Sequence, residues 1–591
     1  MSKNMKIQSL YKKMCSVFRF TVYSLLPLAG GSLVGVSCSD FLEIEPLETI
    51  VLDKFWNEEA DVENVVAECY SSMQSQAVIE RMMVWGEFRS DNIIGGTNSE
   101  NNKDLSNIFK ENINASNAYA KWGDFYSIIN NCNTIINYAP QVRQKDPNYT
   151  ERDLNVTIAE VSAIRDLMYF YLIRTFENVP YTTTPYLDDT QKMDLEATPF
   201  NVVLDSLIAD LERVQDQAVK NYSTTKPYYQ RGRITQDAIH AMLADMYLWK
   251  QDYPNVVRYA DMVIESKTQD YQAQLDKMAG MVSLADQMID GFPLINDADA
   301  TGKNYGSAFG EIFGEGNSRE SIFELIYMDN DQMLANGAVS TEYGNQTTFP
   351  GLVKPAEFLV TDVNDEQYGV FLNKFDTRYY ENMQPIEGSR SSAGIAKYSC
   401  KNVMVSFTKS GDDATAKASY VGFYAEDLCH ANWILYRLTD VMLMKAEALV
   451  EMADNSNEEL SDSLLNEAFK IVNAINKRSN AADEKGLQRD QYTSKALMQE
   501  LVLQERHREL MFEGKRWYDL VRRARRDAST ATLIGAVSKK GNSGGTAISS
   551  KLSRMEAIYW PYHIDELKVN KNLKQNPAFG SGEESSYEKT K

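Results

Sequence analysis

Apolar residues recur at every third or fourth position over long stretches of this chain, the spacing that lines one face of an α-helix. From Asp61 to Met73 the series is Val62, Val65, Val66, Cys69, Tyr70 and Met73. From Trp122 to Tyr138 it is Trp122, Phe125, Tyr126, Ile129, Cys132, Ile135, Ile136 and Tyr138. The same period predicts helices over 158–176, 200–219, 235–249 and 253–265. In the last two, small Ala238, Ala241 and Ala244 are followed by large Tyr253, Val256, Tyr259 and Val263. Small residues where two helices approach and large ones where they lock resemble a tetratricopeptide unit. Such units stack into a superhelix because one unit cannot bury its own apolar face. No strict period of roughly 34 residues runs through the chain, so the pattern predicts several degenerate helix pairs.

The periodicity fails between about 271 and 431, where Gly, Asn, Asp and Ser interrupt repeatedly and only short strand-like runs such as Ser321–Tyr327 remain. Long irregular segments in a compact protein are usually functional loops. Helical spacing returns at Trp433–Met452, Ser461–Arg478 and Thr493–Arg526. The expected fold is mainly α, with helix pairs in a superhelical scaffold packed against a loop-rich half holding a few short strands. The expected divisions are a helical part over about 55–270, a loop-rich part over about 271–431 and a helical return over about 432–580, all within one domain spanning 38–591.

The first 37 residues break this pattern. Lys3, Lys6, Lys12, Lys13 and Arg19 precede an apolar run from Phe20 to Val36, and Cys38 follows directly. A basic region, a short apolar core and a small residue before the cut describe a secretory signal. Pro27 and Gly30-Gly31 make the run a poor membrane-spanning helix. With Cys38 as the first mature residue, the segment looks like a bacterial lipoprotein signal whose thiol is acylated, anchoring the protein without spanning the membrane. Gly35 stands three residues ahead, where such signals usually carry Leu. A plain signal peptide with Cys38 as an ordinary thiol is the alternative.

Of the 591 residues 43% are hydrophobic, ample for a large core. Net charge is −22. The leader holds five basic groups and no acidic one, so the remainder stands at −27. A surface of that sign repels phosphate backbones and argues against nucleic-acid binding. Past Cys38 only Cys69, Cys132, Cys400 and Cys429 remain, without CxxC spacing. They make no disulfide framework, though Cys400 and Cys429 could pair.

Catalytic and metal motifs are missing. The four histidines are scattered and form no zinc pattern. Asp297-Ala-Asp299-Ala-Thr301-Gly302 imitates the start of a calcium loop, but its twelfth position is Ala308, which excludes an EF-hand. A looser Ca²⁺ site at Asp297 and Asp299, or a plain polar turn, are the readings left. Gly541-Asn-Ser543-Gly-Gly545 matches G-x-S-x-G but lacks the strand and helix that a nucleophile elbow needs. No catalysis and no cofactor are expected.

Several motifs then occur in one order. They include Asp40-Phe41-Leu42-Glu43, Phe55-Trp56, Glu160-x-x-Ala163-x-Arg165, Val179-Pro180, Asp376-x-Arg378, Lys397-Tyr398 and Tyr436-Arg437-x-x-Asp440. The longest is Glu505-Arg506-x-x-Glu509-Leu510-x-Phe512-Glu513-Gly514-x-Arg516-Trp517-Tyr518-Asp519-Leu520-x-Arg522, followed by Trp560-Pro561 and Gln575-Asn576-Pro577. With these motifs the chain resembles the SusD/RagB family of nutrient-binding outer-membrane lipoproteins of Bacteroidetes. Glu177 departs from the family's usual Gly before the Val-Pro turn. Read physically, the longest block offers a buried helical face from Leu510, Phe512, Trp517 and Leu520. Its charges three or four apart suit ion pairs, and Gly514 relaxes the helix where a neighbour comes close.

The resemblance implies a surface-facing lipoprotein that captures a nutrient oligomer, foremost a glycan, and delivers it to a SusC-like TonB-dependent transporter. It also implies ligand contacts in the segment Asn92 to Asn102, with Asn92, Asn98 and Asn101 as candidates, and aromatic platforms on the loop-rich face. All seven tryptophans fall in helical or motif segments, so the stacking candidates are Tyr305, Phe309, Tyr343 and Phe349. A binder of peptides or glycoprotein-derived ligands, a structural or adhesive helical scaffold, and a secreted hydrolase using Ser543 are the alternatives.

Overall fold

The computed structural model describes residues 55–580, apart from 189, 279–286, 328–333, 346–348, 361–368, 387–388, 411–412, 427, 455, 481, 484–485 and 541–544. The leader, Cys38 and Ser543 lie outside the described residues. From Trp56 onward the chain forms one compact unit.

The N-terminal half is helical, as the periodicity predicts. Its elements are α1 (Glu59–Met73), α2 (Gln76–Met83), β1 (Ile93–Gly95), α3 (Lys103–Phe109), α4 (Gly123–Lys145), α5 (Glu151–Phe176), α6 (Phe200–Val214), the single turn α7 (Tyr229–Gly232), α8 (Gln236–Lys250) and α9 (Tyr253–Lys277). Helices α4 and α5 pack as one pair and α8 and α9 as another. Ala238, Ala241 and Ala244 of α8 and Val256, Tyr259, Ala260 and Val263 of α9 are fully buried. Between them Gln251 takes the left-handed conformation at φ +62°, which reverses the chain in a two-residue joint.

Helix α5 starts earlier than its apolar pattern, because Thr150 caps it. The Thr150 hydroxyl accepts from the Asp153 N–H at 3.3 Å, and the Asp153 carboxylate accepts from the Thr150 N–H at 3.0 Å. At its other end Glu177 has φ +67° and ψ −73°, and the Asn178 N–H donates to the Phe176 carbonyl at 2.9 Å. This positive-φ γ-turn strains a residue with a side chain by about 1–3 kcal/mol. The substitution Glu177→Gly is therefore expected to raise the unfolding free energy by about 1 kcal/mol. An unchanged denaturant midpoint would mean that the turn carries no strain.

The second half contains β2 (Asn304–Tyr305), β3 (Ser321–Leu325), α10 (Gly337–Glu342), β4 (Gly344–Asn345), β5 (Phe349–Pro350), β6 (Val353–Pro355), β7 (Cys400–Ser410), β8 (Asp413–Phe423), β9 (Trp433–Arg437), α11 (Leu438–Met452), α12 (Glu458–Ser479), α13 (Lys495–Leu510) and α14 (Arg516–Asp527). Strands β7 and β8 form an antiparallel ribbon of 11 residues each, longer than any strand the loop-like composition predicts. The segment from Trp433, read from sequence as the start of a helix, is strand for five residues. It pairs antiparallel with β3, Trp433 opposite Leu325 and Arg437 opposite Ser321. Every residue of both strands is buried, and a short apolar run buried on both faces has no period that separates strand from helix.

The predicted helix 493–526 is broken. Phe512 and Gly514 take φ of +66° and +71°, and the chain turns between Leu510 and Arg516. The charges around this break pair mostly across the fold. Glu505 with Arg508 (2.6 Å) and Asp519 with Arg522 (3.0 Å) pair within their own helices. Arg378 reaches Glu505 at 2.8 Å and Glu509 at 3.1 Å, while Arg437 reaches Glu509 at 2.6 Å and Glu513 at 2.7 Å. Arg478 holds Glu320 at 3.1 Å and also contacts Glu509, and Lys397 holds Glu513 at 3.0 Å. Burial would raise the Glu509 carboxyl, but Arg478, Arg437 and Arg378 hold it well below the usual carboxylate range. The block is thus a buried ionic clasp between helix α13 and strands and loops far away in sequence.

All four described cysteines are buried free thiols. Cys69 and Cys132 face each other at 3.8 Å. Cys400 and Cys429 do not pair with one another; their thiols point at backbone carbonyls of Ala396 and Asn402 and of Tyr398.

Candidate functional site

A polar turn stands on the surface where the two halves of the chain meet. Strand β1 pairs antiparallel with β6, Ile93 opposite Pro355 and Gly95 opposite Val353. The Gly96 N–H then donates to the Leu352 carbonyl at 2.8 Å. Beyond it Thr97–Asn101 forms a 3₁₀ turn, locked by the Ser99 hydroxyl on the Gly96 carbonyl at 2.7 Å. Asn102 closes the turn and caps α3: its Oδ1 accepts from the Leu105 N–H at 3.0 Å, and its Nδ2 donates to the Tyr119 hydroxyl at 3.1 Å. This leaves Thr97, Asn98, Glu100 and Asn101 exposed. The β4–β5 hairpin, with Asn345 opposite Phe349, leads through Gly351 and Leu352 into the same ribbon. Gly96, two residues before Asn98, is thus tied to the chain that follows the β4–β5 hairpin, although some 250 residues separate the two segments in sequence.

What holds the turn is polar and buried. The Glu87 carboxylate accepts from Asn92 Nδ2 at 2.6 Å and from the backbone N–H groups of Phe512, Lys515 and Arg516 at 3.1, 3.2 and 3.4 Å. Burial pushes this carboxyl up to about 7 against the pull of those four donors. Asp91 pairs with Arg516 at 2.9 Å. Burial would raise Asp91, but the Arg516 guanidinium holds it below the ordinary carboxylate range. Burial, and then the charge of Arg516, push the His507 imidazole down to about 3, so it is neutral. Asn92 Nδ2 is spent on Glu87, so its Oδ1 accepts and His507 Nε2 donates to it. The ribbon is therefore bolted to the break between α13 and α14.

The remaining candidates separate into interior and surface. Asn92, expected to touch ligand, is fully buried; Ile93 and Ile94 beside it draw the segment inward, and its amide serves Glu87 and His507. Tyr343 is also fully buried, its hydroxyl donating to the Phe512 carbonyl at 2.9 Å. Phe309 is buried in an aromatic stack with Phe313 at 5.5 Å, and Phe313 in turn lies 5.2 Å from Tyr398. These three side chains are engaged inside the fold and present no surface to a ligand. Tyr305, on β2 opposite Val405, is half-buried, with its ring 5.5 Å from Phe407, which lies 5.3 Å from Phe375. Phe407 and Phe375 were not among the sequence candidates. The alternation Val403, Val405, Phe407 along β7 is the signal that places Phe407 on one face of a strand. All seven tryptophans are buried, at 4% exposure or less.

Asp297 and Asp299, read from sequence as a loose calcium site or a plain polar turn, make the hydrogen bonds of a polar turn. Asp297 Oδ1 accepts from the N–H groups of Gly306 and Ala308 at 3.0 and 3.2 Å, and its Oδ2 accepts from the Thr377 hydroxyl at 2.9 Å. Asp299 accepts from Thr301, Lys303 and Asn304. Asp299 folds its own loop, while Asp297 folds its loop and also ties it to Thr377. Among the described residues, no three His, Cys, Asp or Glu side chains gather as a metal site, and no helix is long and apolar enough to cross a membrane.

A rigid helical scaffold that holds an amide-rich turn on its loop-rich side is a general frame for ligand binding. The chain belongs to the SusD family, whose profile matches residues 279–579. A second profile, described as starch-binding associating with outer membrane, matches residues 40–248. The chain is 25% identical to SusD-like protein P38 of Formosa agariphila over 562 residues, covering 92% of this chain and 96% of that one. Among solved structures it is similar to a SusD superfamily protein from Bacteroides vulgatus, with TM-score 0.62, 17% identity, and coverage of 89% of this chain and 100% of that one. It is also similar to a putative sugar binding protein from Bacteroides vulgatus, with TM-score 0.57, 20% identity, and coverage of 89% and 99%.

Proposed function

We propose that this protein is a non-catalytic surface receptor that captures a nutrient oligomer, foremost a glycan, and hands it to a SusC-like TonB-dependent transporter. An acylated Cys38 holds it to the outer membrane, facing the cell exterior. The observation that carries the reading is the exposed pair Asn98 and Asn101 on the turn next to the β1–β6 pair, in a chain matched by the family along both halves. Side-chain amides offer both a donor and an acceptor, which suits the hydroxyls of a sugar. The shared fold with a putative sugar binding protein supports the same ligand class.

A second reading, peptide or glycoprotein-derived ligands, is favoured by one observation. All seven tryptophans are spent in the core, so no indole is left for stacking on a sugar face.

A glycan array and a peptide library, run side by side on the full-length protein in detergent, test both readings. The expected result is saturable binding to a glycan class, weakened about tenfold or more in an Asn98→Ala/Asn101→Ala variant, as two lost hydrogen bonds of about 1 kcal/mol each imply. Binding to peptides alone would move the ligand to the second reading. Saturation of neither would leave a scaffold, and full affinity in the variant would remove the turn from the site. Recovery of the protein without a TonB-dependent barrel from gentle extracts would count against the hand-over.

A further inference from the structure

A groove on the helical side is built from elements that take no part in the turn. One wall is a single face of α1, with Glu63, Ala67, Tyr70 and Gln74 in succession; the other is Tyr228 and Tyr229 at the start of α7; Leu325 and Ile326 beside β3 form the floor. It encloses about 220 Å³, less than the pockets of drug-sized ligands, and so has room for one small ring. Gly232 lets the floor rise: a Cβ there would stand 2.6 Å from the Ile326 Cδ1.

The charges inside are already matched. The Arg233 guanidinium forms a bidentate pair with Glu160 at 2.7 and 2.8 Å, and also donates to Glu63 at 2.6 Å. The Tyr70 hydroxyl donates to Glu160 and accepts the Ile234 N–H at 3.0 Å. An anion would therefore meet the carboxylates of Glu63 and Glu160, while the Lys226 ammonium lies over the Tyr229 ring. An amine would compete with Lys226 and Arg233, which already lie 4.8 and 5.1 Å from the Tyr229 ring. What the groove still offers is apolar: the Tyr228 ring, half exposed, and the partly exposed Ile326. Its rim adds polar groups in the phenol of Tyr228 and the partly exposed carboxylate of Glu63. That combination fits a neutral ring with a flat C–H face and hydroxyls at its edge.

We propose that the Tyr70–Tyr228–Tyr229 groove is a second binding site, taking one neutral pyranose-sized ring. It goes beyond the receptor reading and does not depend on the Asn98 turn.

Saturation-transfer NMR on the full-length protein in detergent, with an equimolar mixture of glucose, galactose, mannose and N-acetylglucosamine, tests it. Ring C–H signals from at least one sugar are expected, reduced about fivefold in Tyr228→Ala as loss of one aromatic face implies. Tyr228 stands on the surface, so the variant should keep its thermal midpoint. Absence of signal from all four sugars, or full signal in Tyr228→Ala, overturns the groove. Signal lost in Asn98→Ala/Asn101→Ala but kept in Tyr228→Ala would do the same while leaving the receptor reading intact.

Discussion

Replacing Glu509 by Ala is expected to cost about 4 kcal/mol or more of folding stability, the largest single effect in this molecule. Its carboxylate is the shared acceptor of Arg378, Arg437 and Arg478, all at 6% exposure or less. Removing one partner from a buried ionic network leaves the others charged and undersolvated, which typically costs about 3–5 kcal/mol. Each arginine keeps at least one other carboxylate: Asp376 and Glu505 for Arg378, Glu513 for Arg437, Glu320 for Arg478. Those contacts limit the loss without cancelling it. Against a total stability of about 5–15 kcal/mol for a domain, that loss removes a large share of the margin. Glu509→Gln keeps the shape and one acceptor oxygen, so it should lose less than Glu509→Ala. Chemical denaturation of both variants reads the difference. A loss below about 1 kcal/mol in Glu509→Ala would show that the clasp is not a keystone.

Gly86→Ala is expected to destabilise by about 3 kcal/mol or more. A Cβ on Gly86 would stand 1.8 Å from the Gly514 carbonyl oxygen and 2.5 Å from its carbon. Neither is the end of a flexible side chain, so one backbone segment must move. Gly514 cannot yield easily: it holds φ +71°, and its own Cβ direction points 3.1 Å from the Met82 carbonyl oxygen and the Trp433 ring. The shift would pull the Glu87 carboxylate away from the N–H groups of Phe512, Lys515 and Arg516, loosening the ribbon beneath the Asn98 turn. Hydrogen exchange of those three amides, read beside the thermal midpoint, checks this. Retained protection with an unchanged midpoint would contradict the crossing geometry.

The helices were legible because each buries one face, and burying one face imposes a period of 3.6 on the apolar residues. The same logic misread Trp433–Arg437: a run buried on both faces carries no period. The long ribbon β7–β8 was hidden for another reason, since its outward residues Asn402, Met404 and Thr408 blend into a polar loop composition. The site was half legible. Asn98 and Asn101 stand in the open, but Asn92, six residues earlier, is inside, because Ile93 and Ile94 after it carry the chain inward and buried partners exist for its amide. Glu87 and His507 are that partner, and nothing local in the sequence announces them.

The order of motifs, the helical periods and the exclusion of catalytic and metal signatures were set by the sequence itself, because they depend on neighbours within a few positions. Which charges pair was decided only by the tertiary structure. Glu509 sits 131 residues from Arg378, and local spacing says nothing about contacts at that range. The same holds for the break at Gly514, where a backbone from residue 86 arrives too close for any side chain to remain between the two strands of the crossing.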